Sequence, residues 1–252
     1  MEGGPLLSKW WKKASKDFVS YLNIEARTPA VPEQGMYKEK GGRGFPYCTI
    51  MNAAGEVIWE VRPTSEAVVA KGFANANKLV KIQAALSQKP DDKALEASAS
   101  LLEGIGRSQR KAPAMSDMEE WGNVKGVDKV VVTAFNAWKK EQKIRGAMRR
   151  RGAAYKLMKE GTQPEKGSIY ALGFFMNATR DAIAAKDAKI AAAALNRLQP
   201  EWKAYLKKNP SFAKNPRSKR TFDMIEGYAD QVKDLQKKAG EDKSADKSGV
   251  DK

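Results

Sequence analysis

Histidine is absent from the 252-residue sequence, and cysteine occurs once, at Cys48. Without histidine the chain lacks the side chain that most often moves protons near neutral pH and is the commonest metal ligand. Serine-histidine and cysteine-histidine catalysis are excluded. A single cysteine forms no intrachain disulfide, no CxxC pair and no multi-cysteine zinc or iron-sulfur site. A carboxylate site for calcium would announce itself as a spaced acidic loop, and no DxDxDG pattern occurs. No metal and no cofactor are expected, and the balance leans away from an enzyme.

Long apolar runs are missing too. No stretch approaches the roughly 20 apolar residues that span a bilayer, and residues 1–24 lack the uninterrupted apolar core of a signal peptide. As written, the chain is expected to be soluble and cytoplasmic. A signal peptide lost upstream of Met1 would make it periplasmic or extracytoplasmic.

Negative charge is in short supply: 30 Asp and Glu stand against 46 Lys and Arg, for a formal net charge of +16. The excess is uneven. Residues 1–110 carry 16 basic against 12 acidic side chains, whereas residues 111–252 carry 30 against 18. The hydrophobic content of 42% and the length allow two domains, each with its own core.

What is present begins with an amphipathic stretch over residues 6–16, where Leu6, Leu7, Trp10, Trp11 and Ala14 recur at helical spacing. Residues 18–24 mix alternating and continuous apolar positions, as a largely buried strand does. Residues 36–40 predict a short helix closed by Gly41 and Gly42. Residues 45–51 are aromatic and β-branched, 52–55 form a turn, and 56–61 alternate, which together predict a β-hairpin. A helix follows to residue 87, capped by Thr64-Ser65-Glu66, with Val68, Val69, Phe73, Ala76, Leu79, Val80 and Leu86 on its apolar side.

That order of strand, short helix, Gly44-Phe45-Pro46, hairpin and helix resembles the second half of a thioredoxin-like domain, including a bacterial subgroup, over residues 6–87. The resemblance implies a cis bond before Pro46 and a loop, Phe45-Pro46-Tyr47, that meets an extended peptide. It also exposes a departure, because the residues opening the first helix, Met1 to Pro5, hold no CxxC. The domain is then redox-inactive, or its active-site segment lies upstream of this sequence. Cys48, two residues past Pro46, is the weak catalytic candidate. A lone cysteine in an apolar strand is more often a small buried hydrophobe.

The remainder reads as helices. Pro90-Asp91-Asp92 caps a helix over 93–103, and residues 104–116 have the composition of a linker. A long helix is expected over 128–159, and another after Pro164 with Ile169, Leu172, Met176, Thr179 and Ile183 on one face. The alanine-rich 187–198 follows, then a fresh helix with Pro200 in its first turn, and a last helix capped by Thr221 and stopped by Gly240. No 34-residue period supports a repeat array. Trp138, Phe174, Phe175, Trp202 and Phe222 are the expected core of a plain bundle.

The expected fold is therefore α+β, an incomplete thioredoxin-like sheet with flanking helices, followed by an all-α domain, predominantly helical overall. Its parts are residues 1–88, a helix and linker at 89–116, a helical bundle at 117–240 and a disordered charged tail at 241–252. Within the bundle, residues 125–160 hold 11 Lys and Arg against three acids. Lys139, Lys140, Lys143, Arg145, Arg149, Arg150 and Arg151 make either a solvated helix face or a phosphate-binding footprint. Three functions remain open: a non-catalytic peptide- or protein-binding module, a thiol-disulfide oxidoreductase lacking its active-site segment, and a nucleic-acid-binding protein.

Overall fold

The computed structural model describes residues 9–14, 16, 39–40, 48–61, 66–107, 112–215 and 218–247. The expected strand at 18–24, most of the short helix at 36–40 and the loop Phe45-Pro46-Tyr47 lie outside them. The chain is predominantly helical, with a two-stranded sheet among the described residues, and it divides into two compact units, Met1–Trp138 and Lys139–Lys252.

In the first unit, helix α1 (Lys9–Ala14) precedes strands β1 (Cys48–Met51) and β2 (Val57–Val61), followed by α2 (Glu66–Gln88), α3 (Lys93–Gly106) and α4 (Met115–Gly122). The hairpin forms as expected. Its strands pair antiparallel, Cys48 opposite Val61 and Ile50 opposite Trp59, with a register shift between Ile50 and Met51. Asn52 closes the turn, its Oδ1 accepting from the Glu56 N–H at 2.9 Å, while Gly55 takes the left-handed conformation at φ 76°. One sheet face buries Ile50, Trp59 and Val61 against α2 and α3. The buried side of α2 runs through Val69, Phe73, Ala76, Leu79 and Ile82. Val68 and Val80, expected to join them, are each 45% exposed because they fall outside that stripe.

Helix α5 (Lys129–Ala147) crosses the division between the units. Its start is fixed by Asp128, whose Oδ1 accepts from the Val130 N–H at 2.8 Å and whose Oδ2 pairs with Lys78 Nζ at 2.7 Å. The Lys78 hydrogen bond holds this carboxyl below the usual carboxylate range, burial works against it, and the Val130 and Val131 amides add to the lowering. A carboxyl whose folded-state pKa is depressed favours folding above its unfolded pKa, and this contribution fades as pH falls through the folded value. Asp128→Ala is expected to cost about 1 kcal/mol at neutral pH, mostly from the lost cap, since an ion pair this exposed is screened. Urea unfolding across acidic pH should show the gap to the parent narrowing below about pH 4, and a constant gap would exclude the charge contribution.

The expected linker at 104–116 does not separate the two cores. Gly104 and Gly106 are buried at the end of α3, and Met118, Val131 and Phe135 belong to the first unit's core. Trp138 packs there too, stacked on Phe135, and not with the later aromatics as expected. Apolar side chains beyond the glycine-rich stretch complete the first core, so composition misplaces the boundary.

The second unit contains the end of α5, then α6 (Ala153–Lys159), α7 (Ala171–Ala184), α8 (Ala188–Lys208), α9 (Pro210–Ala213) and α10 (Lys219–Lys247). The buried stripe of α7 is Ala171, Phe174, Phe175, Ala178, Thr179 and Ala182, spaced by three and four. Ile169, expected on that face, precedes the helix and is 58% exposed. Pro200 does not begin a new helix but lies inside α8, where Leu195, Leu198 and Trp202 on one buried face hold the helix continuous past the missing N–H. Gly240 does not stop α10, which runs on to Lys247 into the expected tail.

Candidate functional site

The expected continuous helix over 128–159 is broken. After Ala147 the chain turns through Met148, Arg149, Arg150 and Arg151 to Gly152, whose φ of 77° is a left-handed conformation that suits glycine, and α6 begins at Ala153. The three consecutive arginines therefore stand on a turn and not on a helix face.

One stripe of α7 holds that turn in place. Gly173, Asn177 and Asp181 recur every four residues, so they line one side of the helix. A Cβ at Gly173 would come within 2.6 Å of Met148 Cε, so the glycine leaves room for the methionine. Asn177 Nδ2 donates to the Met148 carbonyl at 3.4 Å, and the Gly152 N–H donates to Asp181 Oδ2 at 2.7 Å. Asp181 is 7% exposed, and its other oxygen accepts from Arg180 Nε and lies 2.9 Å from Arg180 Nη2. The hydrogen bond that Arg180 donates to Asp181 raises the Arg180 pKa, which favours the charged guanidinium. Tyr228 of α10 is buried nearby, and burial pushes its phenol above its ordinary value.

Arg149, Arg150, Arg151 and Arg180 thus surround one open depression of about 380 Å³, with Met148 and Asn177 completing its wall. Among the described residues no carboxylate pairs with Arg149, Arg150 or Arg151, and all three are exposed. Four guanidiniums against the single carboxylate of Asp181 leave a local charge near +3, suited to an anion. Guanidiniums present fixed forks of N–H donors that match phosphate oxygens.

The other residues expected in the basic patch lie upstream on α5, outside this depression. Lys140 and Lys143 are exposed and Lys139 is half-buried. Arg145 is half-buried, and its Nη1 is buried with no hydrogen-bond partner among the described residues, so it is not offered freely to solvent. Arg180 is the member the sequence reading missed. Its signal was the four-residue spacing of Gly173, Asn177 and Asp181, a small residue and two short polar ones on a helix otherwise read only for its apolar side.

In the first unit, a depression of about 370 Å³ is lined by Glu39, Glu56 and Glu60 together with Lys40 and Arg107, a mixed set with no dominant sign. Cys48 begins β1, half-buried, and burial pushes its thiol up, which keeps it protonated at neutral pH. Among the described residues no group of three His, Cys, Asp or Glu could hold a metal ion, and no helix is long and apolar enough to cross a membrane. No protein-family model, curated protein or solved structure matches the chain.

Proposed function

We propose that this protein is a non-catalytic binding protein whose second unit holds the phosphates of a nucleic acid. The observation that carries the reading is the arginine depression, where three guanidiniums without carboxylate partners among the described residues and a fourth fixed by Asp181 converge. Arginines held near one another and unpaired by the fold repel each other, a cost that an anionic ligand relieves. Their chemistry suits phosphate, and the net charge of +16 adds long-range attraction for a polyanion.

Binding of the full chain to a fluorescent single-stranded oligonucleotide tests this. Releasing counterions from three or four phosphates predicts a slope of log affinity on log salt of about −2 to −3. Replacing Arg149, Arg150 and Arg151 together with Ala should flatten that slope by about 2 and weaken low-salt binding about 30-fold. Absence of binding by the parent at low salt would sink the reading.

A second reading rests on the hairpin. The order β1, turn, β2, α2 is that of the closing part of a thioredoxin-like domain, and it supports a peptide-binding role for Phe45, Pro46 and Tyr47. Protein or peptide partners would then meet the first unit. Thiol-disulfide exchange has less behind it, since burial makes Cys48 a poor nucleophile.

A further inference from the structure

We infer that the arginine depression takes a terminal phosphate, the phosphate monoester at the end of a nucleic-acid strand, with Arg180 as its fixed donor. The inference rests on the nucleic-acid reading above and narrows it. A diester within a strand carries one negative charge, and successive diesters spread their charges along a line. A phosphate monoester carries about −1.5 to −2 at neutral pH and offers three strong acceptor oxygens at one point. Arg149, Arg150, Arg151 and Arg180 concentrate their charge in the same way, around one depression of about 380 Å³ instead of along a groove.

The donors differ in freedom. Arg180 engages Asp181 through Nε and Nη2. Among the described residues no partner engages its Nη1, and Arg180 lies on the wall of the depression in an orientation set before the ligand arrives. Arg149, Arg150 and Arg151 are exposed side chains on a turn whose backbone is tied to α7 at Met148 and Gly152, so their roots are placed while their forks can close on an oxygen cluster. A fixed fork with mobile forks around it suits a compact dianion reached from an open side. Asn177 and Met148 supply an amide and a thioether on the remaining wall, where the terminal nucleoside would lie.

The test compares the full chain binding three single strands of one sequence, phosphorylated at the 5′ end, phosphorylated at the 3′ end, or ending in hydroxyls, by fluorescence polarisation. At least one phosphorylated strand should bind about 10-fold tighter than the hydroxyl strand, an effect the size expected for additional charge-assisted hydrogen bonds. In Arg180→Lys, shown by circular dichroism to keep its helices, that preference should drop below about 3-fold, because a point charge replaces the fork. A nucleoside monophosphate should compete and the nucleoside should not, which tests the seat in the parent chain with no substitution. Equal binding of all three strands with the salt slope intact would overturn the terminal-phosphate seat and leave the nucleic-acid reading standing. Failure of every strand to bind at low salt overturns both, as does binding confined to vesicles containing phosphatidylserine.

Discussion

Gly106→Ala is expected to destabilise the first unit by about 3 kcal/mol, the upper part of the range for overpacking a core. A Cβ at this position would stand 2.6 Å from Trp59 Cε3 and 2.9 Å from the Ile58 carbonyl oxygen. Neither neighbour yields cheaply. Trp59 is 6% exposed, centred in the core, and the carbonyl belongs to a strand paired in the hairpin. Gly106 closes α3, so the helix propensity that alanine brings to an interior position is small here. Two other glycines calibrate the result. At Gly104 the nearest atom is the flexible end of Met118, 2.7 Å away, and a loss of about 1 kcal/mol is expected. At Gly146, exposed near the end of α5, nothing lies within 4 Å, and alanine should stabilise by about 0.5 kcal/mol. Urea unfolding followed by tryptophan fluorescence reads all three. A Gly106→Ala loss smaller than that at Gly104 would mean that Trp59 has another rotamer available without cost.

The contacts around Gly106 also show where local sequence signals stop. The hairpin is legible because its alternation and its Asn52 to Gly55 turn are written in consecutive residues. The role of Gly106 is set by an indole some 47 positions earlier in the chain, and in sequence it reads as part of a glycine-rich linker. The same limit explains the misplaced boundary: Met118, Val131 and Phe135 are apolar in any reading, but only packing assigns them to the hairpin's core. Pro200 is the converse case. Its local rule predicts a helix start, and burial of Leu195, Leu198 and Trp202 along one continuous face outweighs it.

Half of the candidate site could be read in advance. Consecutive arginines are conspicuous in sequence, and their excess over acids marks an anion-facing surface. Their conformation was not legible, because a run without proline reads as helix and the break depends on the left-handed Gly152 and on Asp181, 29 residues away, accepting from its N–H. Arg180 was hidden for a related reason. Beside an acid it looks like a neutralised surface pair, whereas the buried Asp181 fixes its orientation without covering all of its donors.

Trp202→Ala should have the largest effect in the second unit, a loss of about 3 to 5 kcal/mol. The indole is 8% exposed and touches aromatic rings from three helices. Tyr205 of α8 stacks at 5.8 Å, Phe212 of α9 meets it edge-on at 5.9 Å, and Phe222 of α10 does so at 5.0 Å. Removing the ring leaves a cavity and uncouples α9 and α10 from α8 together, so the loss includes both the transfer of the indole and the aromatic pairs. Trp202→Phe should recover more than half of it. Amide hydrogen exchange should show protection falling first along α10, whose buried Ile225, Tyr228 and Val232 follow Phe222 onto the same core. The hydrogen bonds that hold the arginine turn at Met148 and Gly152 run to α7, so nucleic-acid binding by Trp202→Ala should track the folded fraction. Binding that disappears while the protein remains folded would instead make Tyr228, whose phenol feels the charges of Arg180 and Asp181, part of what shapes the site.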